Sequence, residues 1–442
     1  MSGAPSRRGV LAAGLALPAI GALAGCAPDR PRPSGGRGPT RITFWSAIRG
    51  SQEVVDAFNA AHDRIQVDFE QIPSGTQGGY AKLSNAARAG NAPDVATLEY
   101  PQLPGFAIDG VATDLTGLVS DRTRDLLLPQ ALERATFDGR IYALPLDIEP
   151  MVMHYRRDVF DEHGFEVPRT WEDFADLGRA VRDRLPGSRI TVFPTDGGTQ
   201  FASYACQAGA QWFDTDGDTW TVSLTDAPTR RVAEYWQGLI DDDIVFANSV
   251  GGPRYPAQVG DGTVLVRLSG AWDAGAQMSS HPGQKGLWTV APLPEWEPGA
   301  GVLGDHGGST FTVTRDSRHP EAAMQFIEWQ VSHPDAMRAR LSAGTSSAFP
   351  VVDELVEAGR QALDPEYYGG QDIYGLFARE AVKVRDDWVW GPRMTSTLNL
   401  MHDNFARAGA GRGTLLDAMR AAQDGTTPDL RALGLSISEQ GG

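Results

Sequence analysis

The chain has 442 residues, 21% of them charged, and its formal net charge at pH 7 is −17. A surface this acidic repels phosphate backbones and anionic lipid headgroups, which argues against nucleic acid as a partner. A chain of this length can bury a sizeable core, and its size favours at least two lobes.

The N-terminus carries export signals. Arg7 and Arg8 form a twin-arginine pattern, and the apolar run 10–23 is too short to span a bilayer comfortably, so residues 1–25 are predicted to be a signal peptide. The run ends in LAGC, which resembles a lipobox and predicts acylation of Cys26; an ordinary signal peptide is the alternative. Residues 26–40 are predicted to be a flexible tether. Since Cys206 then stands alone, an intrachain disulfide is excluded.

The first elements after the tether alternate between strand and helix. A strand over 42–45, a helix starting at Ser51 and a strand over 65–69 form one unit, and a helix over 80–89 with a strand over 94–98 repeats it. This alternation predicts an α/β fold with a mostly parallel sheet covered on both faces.

Later segments continue the pattern. Residues 141–146, 151–155 and 263–268 are predicted to be extended. Helices are predicted after the capping box at Thr170, over 230–240, and from Pro320, Pro334 and Thr414.

A literal G-x-G-x-x-G occurs at Gly299, Gly301 and Gly304. A nucleotide-binding loop of this type follows a strand and opens a helix. Here three prolines precede it, in 292–298, and a β-rich run follows it, in 309–313. The context therefore argues against a nucleotide site.

The spacing of other candidate residues does not match known enzyme or metal-binding motifs. Asp214, Asp216 and Asp218 suggest calcium, but the glycine is misplaced for a calcium loop, so a hairpin turn is predicted. Neither an H-E-x-x-H nor a G-x-S-x-G occurs. We therefore predict no catalytic residue, metal or cofactor.

Five segments, taken in order, resemble the extracellular solute-binding proteins of ABC importers, in particular the carbohydrate-binding branch that includes maltose-binding protein. They are ITFWS from residue 42, AARAGNAPDVATLEY from 86, GRIYALPLDIEPMVMHYRRDVFDEHGFEVPRTWEDF from 139, LVRLSGAW from 265, and GGSTFTVTRDSRHPEAAMQFIEWQVSHP from 307. The resemblance implies a two-lobe periplasmic-binding-protein-like fold with a ligand cleft between the lobes and hinge crossings.

The same resemblance places the boundaries. Lobe 1 would comprise 41–148 and 309–348, and lobe 2 would comprise 149–308 and 349–442. The crossings would be 147–151, 304–309 and a segment within 344–352. On this interpretation the glycine-rich stretch is a crossing in which Gly308 and Ser309 face the ligand; a plain turn before a strand is the alternative.

Tryptophans at strand ends are candidates for stacking on a sugar ring. Trp45 ends the first strand, Trp272 follows another, and Trp212 lies in a loop; each could equally be a core residue. The helical tryptophans, which are predicted to be core, are Trp171, Trp236 and Trp329.

Polar candidates also follow strands, because ligands bind outside the carboxyl ends of strands in open α/β sheets. Glu99 and Tyr100 follow the strand at 94–98, and Asp147 follows 141–146. Trp390 and Arg393 resemble a late family segment that returns to the cleft, although Arg393 could instead pair with a surface acid.

The resemblance implies a lipid-anchored, monomeric protein that captures a mono- or oligosaccharide outside the cell and delivers it to an ABC permease, without catalysis. It would be attached to the outer face of the cytoplasmic membrane through its lipid alone. Three further functions stay open: a secreted glycosidase using Glu99 and Asp147, a binder of glycerol phosphate through Arg393, and a ferric-ion binder using Tyr367 and Tyr368.

Overall fold

The structure, a computed structural model, describes residues 38–216 and 219–439, and the elements below refer to those residues. The predicted leader, Cys26 and the tether up to residue 37 lie outside them. Residues 39–442 form one unit. In the described ranges, no helix combines the length and the apolar character needed to cross a membrane.

The strands are β1 Thr40–Ser46, β2 Ile65–Gln71, β3 Val95–Glu99, β4 Thr136–Phe137, β5 Arg140–Ile141, β6 Leu144–Pro145, β7 Met151–Arg156, β8 Val192–Pro194, β9 Phe213–Asp216, β10 Thr219–Val222, β11 Phe246–Asn248, β12 Val266–Gly270, β13 Trp288–Pro292, β14 Ser309–Val313 and β15 Ser436–Glu439.

The α-helices are α1 Ser51–Ala61, α2 Gly79–Arg88, α3 Leu103–Ile108, α4 Asp121–Leu126, α5 Pro129–Glu133, α6 Arg157–His163, α7 Trp171–Arg184, α8 Gly198–Gln207, α9 Ala227–Asp241, α10 Arg254–Gly260, α11 Asp273–Ser280, α12 Pro320–Ser332, α13 Pro334–Ser342, α14 Asp353–Ala362, α15 Ile373–Ala381, α16 Met394–Gly409 and α17 Leu415–Ala432. Short 3₁₀ turns lie at Gly75–Gln77, Pro282–Gln284 and Pro365–Tyr368.

A five-stranded sheet, here called the first sheet, has the order β2-β1-β3-β14-β6. Strand β1 is parallel to β2 and to β3, as the strand–helix–strand pattern predicts, whereas β14 runs antiparallel to β3 and to β6. Its core is aromatic: Phe44 packs with ring centroids 5.7 Å from Phe311 and 5.3 Å from Phe326.

A second sheet has the order β12-β7-β13 and is antiparallel throughout, so the expectation of a mostly parallel sheet does not extend to it. Strand β12 starts three residues later than predicted, because the N–H groups of Thr263 and Val264 bond to the Gln258 carbonyl that closes α10. Strands β9 and β10 form the predicted hairpin, whose loop residues 217 and 218 lie outside the described part of the chain.

Helix starts follow the capping signals. The predicted capping boxes at Thr170 and Thr414 are confirmed. Helix α9 begins earlier than predicted because the Asp226 side chain accepts a hydrogen bond from the Thr229 N–H, at 2.8 Å, and caps it. Trp171 and Trp236 are fully buried, as predicted, whereas Trp329 is partly buried against the core.

Three segments connect elements around the first sheet with those around the second, and they lie side by side. The first joins β6 to β7, the second leads from β13 into β14, and the third joins α13 to α14. Main-chain hydrogen bonds from Leu146 to Ser309, from Ile148 to Phe349 and from His306 to Glu149 tie the three together. They lie at the positions predicted for the crossings and are called the crossings below; the lobe boundaries themselves stay a prediction.

Candidate functional site

A cavity of about 310 Å³ lies against the crossing segments, between the first and second sheets. Strands β1, β2, β3 and β12 all end at it, which agrees with the rule that ligands bind outside the carboxyl ends of strands. Its wall includes Trp45, Arg49, Glu99, Asp147, Glu149, Trp272, Asp305, His306, Gly308, Ser309 and Trp390.

Three tryptophans line the cavity. Trp45 is the penultimate residue of β1, and the Lys82 ammonium lies 4.3 Å from its ring centroid. The indole N–H of Trp272 donates to the His306 carbonyl at 2.8 Å, which fixes the plane of that ring. Trp390 enters from the segment before α16 and packs against Trp388, with centroids 5.4 Å apart. The cavity therefore carries flat apolar surfaces from three separate parts of the chain.

The polar part of the wall is acidic. Glu99 accepts a hydrogen bond from the Tyr80 hydroxyl at 2.8 Å, and burial raises the pKa of the Glu99 carboxyl. Asp147 accepts from the Ser309 backbone N–H at 2.5 Å, and burial raises its pKa to about 7. Such carboxyl groups are suited to accept hydrogen bonds from hydroxyl groups placed in the ring plane of a sugar.

Seven of the predicted ligand-contacting residues line this cavity: Trp45, Glu99, Asp147, Trp272, Gly308, Ser309 and Trp390. The structure thus brings together residues that are widely separated in the sequence. That they contact a ligand stays a prediction.

Three other predicted contacts lie elsewhere. Trp212 is fully buried and its indole N–H donates to Thr229 at 2.9 Å, so it is a core residue, the alternative that the sequence left open. Tyr100 is 1% exposed and its hydroxyl donates to the Asp147 carbonyl at 3.3 Å, so it supports the first crossing from behind. Arg393 lies outside the cavity and pairs with Asp109 at 3.3 Å.

Sequence reasoning missed Glu149, Asp305, Arg49 and His306. Residues two apart in an extended chain point to the same side, so Glu149 could have been found from Asp147. Asp305 could not have been found in this way, because its contact with the buried Arg134 at 2.6 Å joins positions 171 residues apart.

The structure explains why glycine stands at positions 299, 301 and 304. The N–H groups of Gly299 and Gly301 donate to the Glu295 carboxylate, at 2.6 and 3.0 Å. Gly304 lies against the Ser203 backbone, where a Cβ would approach the carbonyl oxygen to 2.1 Å. The first two glycines therefore bind a carboxylate of the chain itself, and the third allows close packing in the second crossing.

Gly308→Ala is expected to destabilise the protein by about 2–4 kcal/mol, because Gly308 has φ +85° and a Cβ there would lie 2.5 Å from the Tyr100 ring. Gly299→Ala is the matched control: φ is +78°, but nothing lies within 4 Å of its Cβ, so only the backbone cost of about 1–2 kcal/mol applies. Denaturant unfolding of both variants measures the difference; equal losses would show that Tyr100 yields to the added methyl group.

The two sheets, the three crossings and a cavity lined by tryptophans and carboxyl groups define a binding protein of the hinged, two-lobe class. A profile of the family described as bacterial extracellular solute-binding protein matches residues 46–337. The chain belongs to this family.

Relatives agree with this assignment. The arabinooligosaccharide-binding protein of Bacillus subtilis is 26% identical over 421 residues, which cover 91% of this chain and 92% of the relative. The maltooligosaccharide ABC transporter solute-binding lipoprotein of Streptococcus pneumoniae is 23% identical, over 69% of this chain and 71% of its own.

A solved structure has the same fold. The galacto-N-biose-/lacto-N-biose I-binding protein of the ABC transporter from Bifidobacterium longum, in complex with lacto-N-biose, superposes with a TM-score of 0.81 at 26% identity, covering 91% of this chain and 99% of that one. The predicted two-lobe fold is confirmed.

Proposed function

We propose that this protein is the carbohydrate-binding component of an ABC importer and that the cavity at the crossings holds a mono- or oligosaccharide. The observation that carries the proposal is the combination of Trp45, Trp272 and Trp390 with buried carboxyl groups around one cavity. Aromatic faces pack on the C–H face of a sugar, and the carboxyl groups accept hydrogen bonds from its hydroxyls.

The charge of the cavity favours a neutral ligand. Four acidic residues line it, Glu99, Asp147, Glu149 and Asp305. Arg49 is the cationic residue in its wall, and it already donates to the Thr345 carbonyl at 2.6 Å. An anionic ligand such as a glycerol phosphate would find no uncommitted cation among the described residues of this wall, and would face carboxyl groups instead.

A ferric-ion site and a glycosidase have less support. The hydroxyl of Tyr367 donates to the His281 carbonyl at 2.8 Å, and Tyr368 is fully buried, so neither phenol is placed for iron in the cavity. The relatives are named as binding proteins, which supports binding without catalysis over a glycosidase.

We further propose export through the twin-arginine leader, acylation of Cys26 and attachment of the monomer to the outer face of the cytoplasmic membrane. The lipoprotein name of the Streptococcus pneumoniae relative supports the anchor. The partner would be the permease subunits of an importer, which would bind the closed, sugar-loaded form. The tether between the lipid and the first strand would allow the two lobes to reach that permease.

A saccharide panel tests the function. Arabino- and maltooligosaccharides, lacto-N-biose and β-1,6-galactobiose are titrated against the protein, with glycerol phosphate and ferric citrate in parallel. We expect one saccharide class to raise the melting temperature, corresponding to about 2.7 kcal/mol at a hundredfold excess over the dissociation constant, and the sugar to be recovered unchanged. A shift with the anion or iron alone, or hydrolysis of the sugar, would contradict the proposal.

A further inference from the structure

Three carboxyl groups are buried together where the crossings meet. Asp147 is 5% exposed and Glu149 is 1% exposed, and the side chain of Asp305 is 11% exposed. Like charges at such short range in a desolvated site cannot all be ionised without compensating cations. The protonation of the three groups therefore depends on which of them has a cation beside it.

Asp305 has one. The Arg134 guanidinium donates to its carboxylate at 2.6 Å, and the Arg134 side chain is 3% exposed. The second oxygen of Asp305 accepts from the Glu149 backbone N–H at 2.8 Å. Burial raises the pKa of Asp305, and Arg134 and the Glu149 N–H act against that rise, so in the described part of the chain Asp305 is the one carboxyl of the three with a cation in direct contact.

Asp147 and Glu149 form no ion pair among the described residues. Their carboxyl groups instead lie within hydrogen-bonding distance of each other. Two ionised carboxylates only accept hydrogen bonds, so a bond between them requires one proton. Their other partners are backbone N–H groups: Ser309 donates to Asp147 at 2.5 Å, and Trp272 and Phe349 donate to the two oxygens of Glu149 at 2.7 and 3.4 Å.

The charged and titratable groups around Asp147 and Glu149 do not compensate a second negative charge on the pair. Arg49 donates to the carbonyls of Thr345 and Trp272, and Arg340 donates to Gln330. The groups that act on the pair or flank it from the neighbouring elements are Arg49, Tyr100, Arg134, Asp273, Asp305, His306, Arg340 and Tyr374. Burial lowers the pKa of His306 to about 4, so that side chain is neutral at neutral pH.

We propose that Asp147 and Glu149 share one proton at neutral pH and that Glu149 holds it. Glu149 is then a positioning residue, because its O–H keeps the Asp147 carboxylate fixed as a hydrogen-bond acceptor at the cavity wall. Glu149 is the more buried of the two and lies between the charges of Asp147 and Asp305, whereas Asp147 also experiences Arg340. In agreement, burial and these two neighbours raise the pKa of Glu149 well above its ordinary value, and burial raises the pKa of Asp147 to about 7.

The shared proton has a consequence for stability. A carboxyl group whose pKa is raised by folding binds more protons in the folded than in the unfolded chain, so stability falls as the pH rises above the ordinary carboxyl range. In the Glu149→Gln variant the amide N–H can donate to Asp147 and the carbonyl can accept from Trp272, so the new side chain copies the neutral acid except for the long contact with the Phe349 N–H, which it gives up. The glutamine variant therefore lacks the destabilisation that the wild type acquires with rising pH.

Glu149→Gln tests the proposal on the whole chain without ligand. We expect the wild type at neutral pH to show the infrared C=O stretch of a buried protonated carboxyl, and the intensity of this band to fall in Glu149→Gln; what remains belongs to other buried carboxyls such as Glu99, whose pKa burial also raises. The melting temperature of the variant relative to the wild type should rise by about 2 °C for each pH unit between about pH 5 and about pH 8. Glu380→Gln is the matched control, because Glu380 is also buried but bonded to Lys383 at 2.9 Å; it should keep the band.

Two results would overturn the proposal. A band whose intensity is unchanged in Glu149→Gln but falls in Asp147→Asn would put the proton on the other partner. A wild-type spectrum with no such band, combined with a melting-temperature difference that does not change with pH, would show that no proton is shared, even if a variant folds poorly. No sugar enters this measurement, so its failure is distinct from failure of the proposed function.

Discussion

Trp272→Ala is expected to weaken binding of the sugar identified in the panel by about 30- to 150-fold, equivalent to about 2–3 kcal/mol. Trp272 lines the cavity two residues after the end of β12, and its hydrogen bond to His306 holds the ring plane in place. Removing the ring takes away a preformed apolar face that no neighbouring side chain can replace. Trp272→Phe keeps a flat face but loses the N–H, so an intermediate loss is expected.

Isothermal calorimetry on the sugar measures this effect. Trp329→Ala is the control, because Trp329 is also a partly buried tryptophan but lies on α12, where it packs on Phe58 with ring centroids 5.4 Å apart. Its loss should lower stability and leave the dissociation constant unchanged. An unchanged affinity in Trp272→Ala would remove that ring from the binding site.

Asp273→Asn is expected to destabilise the protein by about 3–5 kcal/mol. The Asp273 carboxylate receives two hydrogen bonds from the Arg267 guanidinium, at 2.9 and 2.5 Å, and the two side chains are 3% and 9% exposed. Neutralising the acid leaves a guanidinium buried without its counter-charge. Because Asp273 opens α11 next to Trp272, the ion pair also connects β12, which carries Arg267, to a wall of the cavity.

Denaturant unfolding at neutral pH measures the loss. Asp364→Asn is the control: its partner Lys285 is about half exposed, so at most about 1 kcal/mol is expected. Burial alone would raise the pKa of Asp273, but Arg267 and His154 outweigh it and the pKa is lowered. The ion pair therefore stabilises the fold above the ordinary carboxyl range, and its contribution is lost as the pH falls through the lowered pKa. A loss for Asp273→Asn no larger than that of the control would contradict the assignment.

The sequence by itself determined the local elements near the first sheet and the starts of several helices. Strand β1 and helix α1 follow the apolar spacing, and the starts at Thr170 and Thr414 follow from cap residues that satisfy N–H groups within a few positions. These properties depend on contacts between near neighbours in the chain, which a pattern of residues records directly.

Only the tertiary structure decided which candidates face the cavity. Trp212 and Trp272 both lie beside strand-like segments, yet one is enclosed by Thr229 and Trp388 and the other lines the cavity. Arg393 pairs with Asp109, which lies 284 residues away in the sequence. The protonation of the Asp147–Glu149 pair depends on burial beside Asp305. Burial and charge compensation arise from contacts distant in sequence, and one chain read in order carries no signal for them.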